Sequence, residues 1–227
     1  MNDLNKAITQ GILKIIQEPL IYFSEADVQQ LLCNNINSIS TFKKMYPTSV
    51  NKGKGSKTTY RTSLVHREYG GGQGTRIDLV IFDKNDVKNI DSPALTINGN
   101  YLIPKFAIEI GTEKTSDALT HMKKDIVKLN KSKNAGYLIH IYKDVTKSKS
   151  GTLSREKTEE KIKNKFKDIF SSANSEDKIK VVAVLLRTYR NQVRMRGKCE
   201  IFNNGIWEKI NINDKKKIEN KLMEVMN

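Results

Sequence analysis

The sequence predicts an α/β protein: a mixed sheet flanked by helices, extended at the C-terminus by a β-hairpin and a last helix. Three observations predict it. The first residues carry apolar side chains at helical spacing (Leu4, Ala7, Ile8, Ile12, Ile15, Ile16). Three later segments, TRIDLVIF, KFAIEIG and GYLIHIY, are short aliphatic runs bounded by loop residues, the pattern of strands. Between the last two lies an amphipathic segment, and a helix joining two strands makes a crossover that leaves them parallel.

Taken in order, the first helix ends near Glu18-Pro19. A second opens at Ser24, with Asp27 three residues on as a capping partner and with Phe23 and Val28 placed as a hydrophobic staple. Asn51–Arg61 reads as a basic loop. Ser63–Tyr69 and Thr75–Phe82 are antiparallel strands joined by the turn Gly70–Gly74. A loop around Asp91-Ser92-Pro93 leads to a small hairpin turning at Asn98-Gly99. Lys105–Gly111 is the next strand, Thr115–Lys131 a helix with Leu119, Met122, Ile126 and Leu129 on its apolar face, and Gly136–Tyr142 a strand. Beyond Lys147–Ser154, a linker, a charged helix capped by Ser154 runs to about Phe170. A strand follows at Lys180–Thr188, then a hairpin of Lys198–Asn203 with Gly205–Ile210, and a helix capped by Asp214. The chain reads as one domain, with a core at 24–142 and an elaboration at 146–227.

Composition narrows the function. Forty Lys and Arg against 25 Asp and Glu give a net charge of +15, which suits a polyanionic partner. An AT-rich genome that inflates lysine is the competing explanation. No stretch approaches a membrane span, and Cys33 and Cys199 are isolated, so neither a disulfide framework nor a zinc site is indicated. A cytoplasmic protein is expected.

Strand alternation aims the side chains. Arg76, Asp78 and Val80 share one face of their strand, and Lys105, Ala107, Glu109 and Gly111 share one face of theirs. Each strand thus carries one carboxylate in an aliphatic centre, where burial is costly without compensation. Two carboxylates on adjacent strands repel unless a cation lies between them, and hard oxygen ligands suit Mg²⁺ or Mn²⁺. Ion pairing with a buried Arg or Lys is the structural alternative.

Glu25 in SEADVQQLL, Asp78 in RIDLVI, Glu109 in AIEIG and the helix bearing Asp125-Ile126-Val127-Lys128-Leu129 together resemble the PD-(D/E)XK nuclease superfamily. The resemblance spans about Ser24 to Tyr142. It implies a restriction-endonuclease-like fold and a Mg²⁺- or Mn²⁺-dependent nuclease acting on DNA, with dimers common among such enzymes. By the same resemblance Asp78, Glu109 and the Ile110 carbonyl hold the metal, and Glu25 orients a water or a second ion. The family places a lysine two residues after the strand glutamate, where this chain has Gly111. Lys114 is the first choice to replace it, with Lys124 and Lys128 behind. His121, Asp125 and Lys128 fall on one helix face that can support the site, and Arg76 can contact a phosphate or pair with a carboxylate. A decayed, non-catalytic nucleic-acid-binding fold and a nuclease subunit active only in an assembly are the alternatives.

Other signals are read more plainly. The glycine-rich run at 70–74 precedes a strand and lacks Gly-Lys-Ser/Thr, so it is a turn rather than a nucleotide loop. Gln73 at its tip can reach DNA. His66 and His140 read as structural histidines. Lys52, Lys54, Lys57 and Arg61 form one basic segment. Arg187, Arg190, Arg194, Arg196 and Lys198 form another, around Tyr189 as a stacking residue.

Overall fold

A computed structural model describes residues 2–19, 21–22, 24–51, 57–70, 76–88, 102–112, 118–146, 152–173, 178–191 and 194–227. Two helices come first, α1 (Asn2–Gln17) and α2 (Glu25–Asn37), then strands β1 (Tyr46–Asn51), β2 (Lys57–Thr62), β3 (Val65–Gly70) and β4 (Arg76–Ile81). The short α3 (Lys84–Lys88), β5 (Phe106–Gly111), α4 (Ala118–Leu129), β6 (Ala135–Thr146) and α5 (Thr152–Ala173) follow. The chain finishes with β7 (Ile179–Asn191), β8 (Arg194–Asn203), β9 (Ile206–Asn211) and α6 (Lys215–Met226).

Strands β3 to β9 form one seven-stranded sheet in sequence order. Its centre is parallel, β5 with β6 and β6 with β7, because α4 and α5 make the crossovers that return the chain to the same end. Every other neighbouring pair in it is antiparallel, so the sheet is mixed. The C-terminal hairpin β8–β9 extends this sheet.

Helices cover both faces. On one, α1, α2 and α6 pack Ile8, Ile12, Leu32, Ile36, Ile218 and Leu222 onto Leu79, Ile108, Ile139 and Val184. On the other, α4 and α5 pack Met122, Ile126, Phe166 and Ile169 onto Val80, Ala107, Leu138 and Leu185. Each fully buried aliphatic side chain contributes about 1.5–3 kcal/mol, so the two layers supply most of the drive to fold. Asn5, fully buried in α1, ties the first layer together. Its amide donates to the Met226 carbonyl at 2.9 Å and its carbonyl oxygen accepts from the Tyr137 hydroxyl at 2.8 Å.

The local signals around the second helix act as read. Ser24 accepts from the Asp27 N–H while Asp27 accepts from the Ser24 N–H, a complete capping box. Phe23, the other half of the expected staple, lies outside the described residues, as do the turn at 71–74 and the hairpin at 95–101. Asp214 caps α6 by accepting from the Lys217 N–H.

Two expectations are corrected. The segment read as a basic loop is largely a strand: Lys57–Thr62 pairs antiparallel with Tyr46–Asn51 in a separate two-stranded sheet. Thr58, Thr59, Tyr60 and Thr62 have the β-branched and aromatic side chains that favour this pairing over the pull of the lysines toward solvent. The charged helix begins at Thr152, so Ser154 lies inside it and does not cap it. Among the described residues no helix is long and apolar enough to cross a membrane.

Candidate active site

Strands β4 and β5 pair antiparallel through Leu79↔Ile108 and Val80↔Ala107, which brings Asp78 and Glu109 to neighbouring positions on the face covered by α4. Asp78 is fixed there by a bond from the next strand: its Oδ2 accepts from the Ile110 N–H at 2.7 Å. Glu109 is buried, 3% exposed, the fourth of five consecutive buried residues along β5. Both line a cleft of ≈ 380 Å³ at the C-terminal end of β5, beside the middle of β6. Glu25 from the first turn of α2, Arg76, Ile110, Gly111, His121, Lys124, Asp125, Lys128 and His140 complete the polar part of its wall.

The lysine that reaches the carboxylates is Lys128. Its ammonium lies 2.7 Å from Glu109 Oε1 and 2.8 Å from Asp125 Oδ1, and it donates to the Arg76 carbonyl at 3.0 Å. The contact with Glu109 is an ion pair outside hydrogen-bond alignment, since the buried Oε1 accepts no hydrogen bond. Among the described residues, Lys128 is thus in ionic contact with both Glu109 and Asp125, with Asp78 close by. Burial, then the Asp78 and Asp125 charges, push the Glu109 carboxyl up to about 9 despite Lys128. Burial likewise raises Asp78 to about 6, against the pull of the Ile110 N–H and of Lys128. Burial lowers the Lys128 ammonium, but its ionic contacts with Asp125 and Glu109 outweigh that and leave it raised.

Behind Asp78 stands a support that the sequence did not announce. Strand β3 pairs Arg67 with Leu79 and Tyr69 with Ile77, leaving Glu68 between them at φ 50. That left-handed backbone is unusual away from glycine and persists only where the surroundings hold it. The buried Gln29 of α2 supplies the hold, its amide donating to Glu68 Oε1 at 2.8 Å and to the Asp78 carbonyl at 2.9 Å. Arg67 in turn fixes Gln29 by donating to its Oε1 at 2.7 Å.

Of the residues singled out in sequence, Glu25, Arg76, Asp78, Glu109, Ile110, His121, Asp125 and Lys128 meet in this one cleft. Arg76 is exposed and its ion-pair partner is Glu68, at 3.9 Å. Lys114, Lys52, Lys54 and Gln73 lie outside the described residues. Arg61, exposed on β2, does not line the cleft. His66 is structural as read, bonded to the Ser63 carbonyl at 2.8 Å. His140, read as structural, is buried against Phe166 and also borders the cleft beside Gly111, its partner in the β5–β6 register.

The second basic segment is an extended ribbon. Strands β7 and β8 pair Arg187 with Lys198, Tyr189 with Arg196, Arg190 with Met195 and Asn191 with Arg194. Since β7 runs parallel to β6, with Ala183 beside His140 and Tyr189 beside Thr146, the ribbon continues past the level of the cleft and past the end of β6. Asn191 lies eight residues beyond Ala183, about 26 Å of extended chain.

The fold and the cleft define an α/β protein with a mixed seven-stranded sheet and a buried acidic site at the C-terminal end of β5. No family model, curated protein or solved structure matches the chain.

Proposed function

We propose that this chain is a divalent-metal-dependent nuclease of restriction-endonuclease-like architecture that hydrolyses phosphodiester bonds in DNA. The observation that carries the reading is the convergence of Asp78, Glu109 and Lys128 in one cleft, from two adjacent strands and the crossover helix. The element order α2, β3, β4, β5, α4, β6 supports it, being the order on which the resemblance to the PD-(D/E)XK superfamily rests.

The residues fit a hard divalent cation. Among the described residues no three His, Cys, Asp or Glu side chains converge to hold an ion as they stand. Two carboxylates and a backbone carbonyl are nonetheless the usual protein share for Mg²⁺, which keeps several waters. Raised carboxyls are what a cation relieves. Asp78, Glu109 and the Ile110 carbonyl would hold it, supplying an activated water and neutralising charge on the scissile phosphate. Lys128 would orient the attacking water or the phosphate, Asp125 and the Arg76 carbonyl fix its ammonium, and Glu25 and Arg76 would border the substrate. The basic β7–β8 ribbon supplies phosphate contacts along a duplex. Cutting both strands calls for two copies, and a cytoplasmic homodimer is the simplest arrangement.

A second reading has one observation in its favour. Lys128 already neutralises Glu109 by a buried ion pair, as in a nuclease fold that has lost catalysis and kept nucleic-acid binding. A subunit that acts only within an assembly is the third reading. Incubating supercoiled and linear DNA with Mg²⁺ or Mn²⁺ separates them. The nuclease reading expects metal-dependent cutting that Asp78→Ala and Glu109→Ala each abolish. Salt-sensitive DNA binding without cutting, unchanged in both variants, establishes the binding module instead.

A further inference from the structure

Gly111 is a glycine for a reason that lies on the next strand. A Cβ built at that position would meet His140 Nδ1 at 2.5 Å and Cε1 at 3.2 Å, closer than side-chain carbons approach other heavy atoms. The imidazole therefore fills the volume that any side chain at 111 would take, two residues beyond Glu109 on the same strand face. It is held there firmly. His140 is 3% exposed, belongs to a strand paired on both sides, with Gly111 and with Ala183, and meets the Phe166 ring edge-on at a centroid distance of 5.2 Å. It still lines the cleft that contains both carboxylates. A rigid ring at the wall of a reaction cleft is preorganised, so that an N–H turned toward the cleft donates without reorganisation.

Resting on the nuclease reading, we propose that His140 is a catalytic residue: a ring N–H donates a hydrogen bond to a non-bridging oxygen of the scissile phosphodiester. Gly111 is the partner residue that makes room for it.

The test compares wild type, His140→Ala, His140→Gln and Gly111→Ala in Mn²⁺-supported DNA cutting. His140→Ala lowers kcat by about a hundredfold with KM changed less than about threefold, the loss typical of one missing donor to a developing oxyanion. His140→Gln, whose amide also donates, recovers part of the loss. Gly111→Ala behaves like His140→Ala because its methyl displaces the ring. The chain has three histidines, so their ring NMR signals can be assigned by substitution. The His140 signal shifts when a short DNA duplex binds in Ca²⁺, a change that a packing role would not produce. If His140→Ala fails to fold, the glutamine variant and the wild-type NMR signal decide. A folded His140→Ala with wild-type kcat, or an unmoved ring signal on binding, overturns the proposal while cutting by wild type keeps the nuclease reading intact. A wild type that cuts no DNA with either metal removes both.

Discussion

Along β5, Phe106, Ile108 and Ile110 face the layer of α1, α2 and α6, whereas Ala107, Glu109 and Gly111 face α4 and the cleft. The first set lies in a mostly aliphatic layer with no charged side chain in its core cluster. The second holds a buried carboxylate, a glycine that yields its space to an imidazole, and an ion pair with Lys128. Period-two alternation lets six residues serve both purposes, with the apolar face offsetting what the polar face costs. The lesson is that destabilisation at the site is confined to one face of two strands.

The sharpest way to break this comparison is to substitute adjacent residues of β5. Ile108→Ala, at a fully buried position, is expected to lose about 2–5 kcal/mol of stability, since the cavity cannot be refilled between two sheet neighbours. Glu109→Gln keeps the shape, removes the proton uptake that folding demands of a buried carboxyl raised to about 9, and is expected to raise the melting temperature of the metal-free protein at pH 8. Chemical and thermal denaturation of both variants check this. A destabilised Glu109→Gln would mean that the polar face contributes to stability.

Next in size is Lys128. Lys128→Met preserves the length of the side chain, which is 16% exposed, and removes the ammonium shared by Glu109 and Asp125. Under the nuclease reading cutting falls by about a hundredfold, in the range of a lost general acid–base or positioning group. In the metal-free protein both carboxyls rise further, so the variant binds metal more weakly at pH 6 than at pH 8 by a wider margin than wild type does. Isothermal titration with Mn²⁺ at the two pH values measures it.

The pH dependence of stability separates the two faces more gently. The folded Asp78 carboxyl lies at about 6 against an ordinary 3.8, and Glu109 at about 9 against 4.5. A raised carboxyl means that the folded state binds more protons than the unfolded one between the two values, so stability falls as pH rises. The contribution is full below about pH 4 and is lost as pH climbs through about 6 for Asp78 and about 9 for Glu109. Without metal, the melting temperature is expected to drop between pH 6 and 9. Glu109→Gln flattens the upper part of that drop, and saturating Mg²⁺ opposes it because the ion binds the deprotonated carboxylates. A melting temperature that is level from pH 6 to 9 in metal-free protein would contradict the burial argument.

How much of this was legible in sequence follows the range of the signals. Asp78 and Glu109 were readable because alternation is local and a charge among aliphatics is conspicuous. The face of His121, Asp125 and Lys128 was readable from helical spacing, and Lys128, placed behind Lys114, is the one whose ammonium the described residues show at the carboxylates. The place of His140 beside Gly111 was not readable, because it depends on the parallel register set by a crossover that spans 112–134. Gln29 and the left-handed Glu68 escaped for the same reason: their partners are on other elements. The β1–β2 pair was obscured by lysines whose solubility was given more weight than the threonines beside them.

The smallest effect concerns the one element that serves both faces. Helix α2 packs Val28, Leu32 and Ile36 into the apolar layer while its first turn carries Glu25 to the cleft and Gln29 to the Asp78 carbonyl. Its start is set by the capping box of Ser24 and Asp27. Ser24→Ala removes the acceptor for the Asp27 N–H and is expected to cost about 1 kcal/mol. If that turn only completes the helix, catalysis is unchanged in Ser24→Ala and stability alone moves. If it positions Glu25, the same substitution lowers kcat severalfold at temperatures where the protein remains fully folded, and Ser24→Asp, which can accept the same bond, restores both. Parallel melting and cleavage assays on the two variants decide whether the division between the faces of the sheet extends to the helix that bridges them.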